Sequence, residues 1–173
     1  MRVAIVGGGA AGVLTAAQLR RVRPDAQITL IDSSGRPGTG AAYGTGDPVH
    51  LLNVPAHRMS AWPDDPDHFC RWLNDHAVTA PEGFAPRLAY ARYLQDQLAA
   101  ADVRVETAEV VGLVPGASTQ VKLGDGRSLS ANAVVLAAYG LIWSGVRSFE
   151  HREPRLGIAT AGALGWCVLC LIP

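Results

Sequence analysis

The sequence predicts an α/β fold: a parallel sheet flanked by helices, with a small antiparallel β-meander beside it. Three observations carry that prediction. The chain opens with strand, glycine turn, helix and second strand in close succession. Residues 103–123 then switch to a period of two, the signature of half-buried strands. Ala133-Val134-Val135-Leu136-Ala137, finally, is an apolar run suited to a parallel strand buried on both faces.

In chain order, Arg2-Val3-Ala4-Ile5-Val6 is the first strand, and Gly7-Gly8-Gly9-Ala10-Ala11-Gly12 turns it into a helix from Ala10 to about Arg23. Arg20, Arg21 and Arg23 crowd the last turn, where cations suit the helix dipole, and read as a solvated end. Pro24-Asp25 leads into the second strand, Ile28-Thr29-Leu30-Ile31, which ends at Asp32, twenty residues after Gly12. In that context a glycine-x-glycine-x-x-glycine pattern is a Rossmann-like dinucleotide-binding fingerprint. Gly7 permits the tight turn, Gly9 lets a pyrophosphate approach the backbone, and Gly12 lets the helix pack on the sheet. Backbone N–H groups and the positive end of the helix dipole face the phosphates. Asp32 is placed to accept hydrogen bonds from the adenosine ribose, each worth roughly 1.5–3 kcal/mol for a charged acceptor. A glycine turn that binds nothing is the competing reading; strand, helix and acid in register argue against it.

From Ser33 to Ala61 the chain reads as one long loop, a length that in a compact domain points to function. Its polar groups Tyr43, Asn53 and His57 also have plain readings as loop hydrogen-bonders. Asp65-Pro66 reads as N-cap and first residue of a helix to about His76, with Phe69, Trp72 and Leu73 on one face. Asp64, Asp65 and Asp67 suit helix capping better than a metal, and the five histidines show no ligand spacing, so no metal is assigned. Pro86 opens a further helix, whose Tyr90 and Tyr93 read as core rather than as a cofactor box. Val103–Val105, Val110–Val114 and Gln120–Leu123 are short strands, and Gly124-Asp125-Gly126 is a hairpin turn.

Composition narrows the classes. Fifteen basic and fifteen acidic residues give zero net charge, which steers the chain toward neither nucleic acid nor an anionic membrane. Three cysteines make no disulfide framework, and Cys167-x-x-Cys170 lacks the second pair of a zinc site. The first strand begins at once, without the regions of a signal peptide, so the cytoplasm is the expected compartment. Residues 156–173 carry no charge over a length near the transmembrane threshold. Three glycines, a final proline and no aromatic belt favour a buried or disordered terminus over a membrane anchor.

These motifs together resemble the FAD/NAD(P)-binding domain of two-dinucleotide flavoproteins. More narrowly, they resemble the bacterial group related to N-hydroxylating flavin monooxygenases and urate-hydroxylase-like proteins. The residues that carry the likeness, beyond Val3 to Gly12 and Asp32, are Gly40-Ala41-Ala42-Tyr43-Gly44-Thr45, His50-Leu51-Leu52-Asn53-Val54-Pro55, Met59-Ser60 and Pro63-Asp64-Asp65-Pro66. Pro86-Arg87 and Tyr90-Ala91-Arg92-Tyr93-Leu94 continue it. It spans residue 1 to about 138 and defines a domain over 1–140, followed by an unrecognised tail over 141–173.

The resemblance implies FAD as the first dinucleotide, with Gly7, Gly9, Ala10 and Ala11 at its pyrophosphate and Asp32 at the adenosine ribose. It implies that the Asn53 loop approaches the flavin and that the Val110 backbone lies near the adenine; Gly12 and Ser33 complete the candidate set, and no residue is assigned to catalysis. NAD(P)H is expected of the full-length family, yet the sequence holds no second glycine fingerprint. Where such flavoproteins read Val-Val-Leu-Ala-Thr-Gly, this chain has Val134-Val135-Leu136-Ala137-Ala138-Tyr139-Gly140. The expectation is therefore a truncated or frame-shifted member whose last thirty-odd residues are non-native. Three functions stay open: a flavin-dependent oxidoreductase of monooxygenase type, a non-catalytic dinucleotide-binding module working with a partner chain that completes the fold, or an inactive remnant.

Overall fold

Val3 and Ile5 face one side of the first strand and Ala4 the other, and all three are buried. A strand covered on both faces belongs in the middle of a sheet, with something packed above and below it. The computed structural model describes residues 1–137 and, as backbone, the strands at 156–161 and 166–171. Its main elements in chain order are β1 (Arg2–Val6), α1 (Ala10–Val22), β2 (Gln27–Asp32), the single turn α2 (Gly40–Tyr43), α3 (His68–Asp75) and α4 (Arg87–Ala101). β3 (Arg104–Thr107), β4 (Val110–Val114), β5 (Thr119–Leu123), β6 (Ser128–Ala131), β7 (Ala133–Leu136), β8 (Leu156–Ala161) and β9 (Trp166–Leu171) follow.

The main sheet has the order β3-β2-β1-β7-β9-β8. Its first four strands are parallel, with Ile5 registered on Leu30 in β2 and on Val135 in β7. β9 runs antiparallel to β7, and β8 antiparallel to β9. Period-two alternation then sorts the core. Val3, Ile5, Ile28, Leu30 and Val135 face Val13 and Ala16 of α1, Leu94 and Leu98 of α4, and the aromatic rings of α3 and α4. Ala4, Ile31 and Val134 face the other way, onto Val121, Leu123 and Ala131 of the antiparallel sheet β4-β5-β6. Each large apolar side chain fully buried this way contributes about 1.5–3 kcal/mol. Helices thus cover one face and the meander the other.

Several elements differ from the sequence reading, each for a local reason. The long loop is not structureless: it holds α2 and a 3-10 turn at Ala56–Arg58. α3 starts at His68 rather than Pro66, because the Asp65 carbonyl accepts the Ser60 hydroxyl (2.6 Å) and the His68 N–H (3.2 Å), which ties Asp65-Pro66 into a turn ahead of the helix. The three nearby acids do not cap it. Asp64 grips Arg21, an interaction that pulls its carboxyl down to about 2, Asp65 pairs with Arg71, and Asp67 makes no side-chain cap bond. Among the described residues no group of three His, Cys, Asp or Glu stands together as a metal site.

Arg20 is not a solvated helix end either. Its guanidinium donates to the carbonyls of Ala101 (2.9 Å), Pro24 (2.8 Å), Ala26 (2.9 Å) and Asp102 (3.1 Å), closing the ends of α1 and α4 together. The strand at Arg104 joins the parallel sheet, and β6 is a strand the period-two reading left out. The tail, read as a buried or disordered terminus, supplies β8 and β9. Among the described residues no helix is long and apolar enough to cross a membrane. The Thr-for-Ala138 comparison, Tyr139, Gly140 and the side chains of Cys167 and Cys170 lie outside the described residues.

Candidate functional site

From β1 the chain builds β2 and β3 on one side and returns at β7 on the other, so strand order reverses at the carboxyl end of β1. Open α/β sheets bind ligands in the crevice at such a point. The glycine turn sits there. Gly7 has φ +101° and donates its N–H to the Ile31 carbonyl at 2.9 Å, while the Ala137 N–H reaches the Val6 carbonyl at 2.8 Å, holding the turn between β2 and β7. A Cβ on Gly12 would stand 1.8 Å from the Gly7 oxygen, so only glycine lets α1 start this close to the strand. A Cβ on Gly9 would meet nothing nearer than Gly40 Cα at 4.0 Å, so the backbone there is open to a ligand.

Ala10 and Ala11 begin α1 with no capping side chain and no acid in the first turn. The N–H groups of that turn have no intrahelical acceptor, and with the helix dipole they form a seat for an anion. Asp32 ends β2 beside it. Its Oδ2 accepts the Gly8 N–H (3.0 Å), and its Oδ1 accepts the Ser34 N–H (3.0 Å) and the Ser34 hydroxyl. A carboxylate offers about four acceptor positions, so these three bonds orient Asp32 and leave room for a ribose hydroxyl. The residues fit a dinucleotide: a cradle without side chains, free helix N–H groups, and a fixed acid at the neighbouring strand end.

The structure gathers some candidates and leaves others apart. Gly7, Gly9, Ala10, Ala11, Gly12 and Asp32 lie together at the carboxyl ends of β1 and β2. Ser33 is exposed in the following turn, and it is Ser34 that bonds Asp32. Thr107 is registered on Asp32 and the Ala108 N–H reaches the Asp32 carbonyl at 3.2 Å, so the backbone leading to half-buried Val110 passes the acid. Asn53 is exposed, and its loop is tied to the start of α4 through Leu52 N–H to Ala85 O (2.8 Å), with no hydrogen bond to the glycine turn.

Two contacts escaped the sequence reading. A Cβ on Gly8 would stand 2.7 Å from Asp32, so the middle glycine is required by the acid; the signal was a glycine at a position the fingerprint leaves variable. Residues 36–44 form a strap over the turn. The Gly38 N–H donates to Gly8 O at 2.7 Å, a Gly38 Cβ would meet Ala91 O at 3.1 Å, and Gln95 Nε2 donates to Pro37 O at 3.1 Å. A cavity of about 440 Å³ lies beyond the strap, among Pro37, Leu98, Val103 and Val105, and includes no residue of the glycine turn.

A profile of the FAD-NAD(P)-binding family matches residues 4–139. The chain belongs to that family. Its fold is shared with the bacillithiol disulfide reductase Bdr from Staphylococcus aureus (14% identity, TM-score 0.59, covering 80% of this chain and 38% of that one). It is shared with an oxidized steroid monooxygenase bound to NADP (22%, TM-score 0.58, 94% and 28%) and with the lysine monooxygenase NbtG from Nocardia farcinica (17%, TM-score 0.56, 81% and 44%). The chain spans less than half the length of each of these structures. No curated protein matches it in sequence.

Proposed function

We propose that this chain binds FAD across the glycine turn, as the cofactor-binding domain of a flavin-dependent oxidoreductase of monooxygenase type. The observation that carries the reading is the uncapped start of α1 behind an open Gly9, with Asp32 fixed by Gly8 and Ser34 one strand away. Gly7, Gly9, Ala10 and Ala11 would hold the pyrophosphate, Asp32 with Ser33 beside it the adenosine ribose, the backbone at Val110 the adenine, and the Asn53 loop the flavin end. Bound FAD would supply redox chemistry, and the protein would bind and orient it. NAD(P)H as reductant belongs to a longer assembly in this reading, because the sequence carries a single glycine fingerprint. That same observation favours a second reading, a dinucleotide-binding module that acts with further sequence or a partner chain. In either reading residues 141–173 fall outside the family domain.

Titration with FAD, monitored by flavin fluorescence, tests the first reading on wild type and on Gly9→Val. Gly9 has extended backbone (φ −68°, ψ −172°) and a Cβ there stands 4.0 Å from Gly40 Cα, so a β-carbon is accommodated, and the valine methyls are added to fill the phosphate approach. Binding by wild type and its loss in Gly9→Val, with an unchanged melt, is the expected result. Equal binding by both proteins would remove the glycine turn from the site. NAD(P)H oxidation in the presence of added FAD then separates the oxidoreductase from the non-catalytic module.

A further inference from the structure

Tyr90 lies in the first turn of α4, and 3% of its surface is exposed. Its ring packs edge-on against Tyr43 (4.9 Å) and Phe69 (5.1 Å). Several polar atoms nearby have protein partners, although among the described residues the half-buried Tyr43 hydroxyl, like that of Tyr90, has none. The Tyr93 hydroxyl accepts the Ala61 N–H at 2.9 Å and bonds His68 Nδ1 at 2.8 Å, Trp62 Nε1 donates to Gln97 at 3.0 Å, and Trp72 Nε1 to Asp96 at 2.8 Å. Among the described residues the Tyr90 hydroxyl makes no hydrogen bond. Among the described residues no sealed side-chain nitrogen or oxygen lacks a partner, which puts the Tyr90 oxygen at a solvent-accessible opening at the end of an otherwise buried ring. A hydroxyl at such an opening is met by water, or by a ligand group that displaces that water.

Its surroundings indicate what arrives. Tyr43 closes α2, whose first residue, Gly40, lies against Gly9. Ala91, next to Tyr90, presents its carbonyl to Gly38, which in turn bonds Gly8. The loop carrying Asn53 is tied to the same end of α4, with the Arg87 N–H on His50 O at 2.8 Å and Arg87 Nε on Leu51 O at 3.0 Å. This turn of α4 therefore borders both the phosphate seat and the Asn53 loop.

We propose that the Tyr90 hydroxyl is a ligand contact, donating a hydrogen bond to the dinucleotide on the flavin side of its pyrophosphate. The assignment rests on the FAD reading above. Burial pushes the phenol above its ordinary range, so it remains a protonated donor.

The test compares wild type with Tyr90→Phe, which keeps the ring and removes only an oxygen with no protein partner. Both proteins are titrated with FAD and with ADP and melted in urea. The expected result is a two- to twelve-fold weaker Kd for FAD, the worth of one neutral hydrogen bond, with ADP affinity and the urea midpoint unchanged. Unchanged FAD affinity in Tyr90→Phe overturns the contact. An equal loss for ADP overturns the flavin-side assignment, and a lowered urea midpoint gives the hydroxyl a structural role instead. A wild-type chain that does not bind FAD removes the FAD reading itself and the contact with it, an outcome visible before the variant is made.

Discussion

A side chain at Gly12 and one at Gly9 meet opposite surroundings, although both residues belong to one fingerprint. At Gly12 the clash is with backbone oxygen at 1.8 Å, which no rotamer relieves. Gly12→Ala should therefore cost more than about 3 kcal/mol, in the range of severe core defects, and urea unfolding will show it; a midpoint near wild type would mean α1 does not start where the structure has it. Asp32 acts on a different quantity. Asp32→Ala should weaken ADP and FAD binding by roughly 10- to 100-fold, as loss of a charged hydrogen bond of ~1.5–3 kcal/mol requires. It should also release the Gly8 and Ser34 N–H groups, whose amide exchange will speed up if the carboxylate orders the turn as the distances of 3.0 Å indicate. Unaltered ADP affinity would take the ribose role away from this residue.

Two side chains join elements that sequence spacing leaves unrelated. Arg20 reaches four carbonyls at the ends of α1 and α4, using the planar fork that lysine lacks. Arg20→Lys should destabilise the chain by about 1–3 kcal/mol, and a change within error would make those bonds incidental. Glu106, 9% exposed on the edge strand β3, binds Arg104 at 3.0 Å and Arg127 in the β5–β6 turn, and Arg127 also holds Asp125 at 2.6 Å. This group pins the meander to the sheet. Hydrogen bonding from Arg127 holds the Glu106 carboxyl below its usual value of 4.5 in the folded chain. A depressed folded pKa adds stability above the unfolded pKa, and that stability is lost as pH falls through the folded value. Thermal melts should thus drop as pH falls below about 4.5, and Glu106→Gln should flatten part of that slope. The rest belongs to Asp64 and Asp25, lowered by hydrogen bonds from Arg21 and Arg23, and to Asp125, which shares Arg127 with Glu106. An unchanged slope in the variant would remove Glu106 from the clamp.

For the molecule as a whole, the parallel sheet was legible because β1, β2 and β7 are buried on both faces and read as mainly apolar runs, with glycine and acid in fixed positions between them. The clustering of the candidate residues was legible for the same reason: Gly7, Gly9, Gly12 and Asp32 are spaced along one strand-helix-strand unit. What escaped the sequence depends on contacts between distant segments. Gly8 answers to Asp32, Gly38 and Gly40 answer to the turn they cover, and Arg20 answers to the far end of α4; no local period records such pairs. Asp64 and Asp65 were misread because Arg21 reaches Asp64 from α1, a pairing no local rule records, and Arg71, inside α3, takes Asp65 away from the helix N-terminus. β8 and β9 escaped because an uncharged run gives no period to separate strand from terminus. The central claim is that this arrangement makes a working FAD site, and the visible absorption spectrum of the purified chain, after incubation with FAD and removal of the excess, tests it most directly. A flavin spectrum retained in stoichiometric amount is the predicted result. A colourless protein that still melts cooperatively would contradict it, since the folded cradle would then hold no flavin.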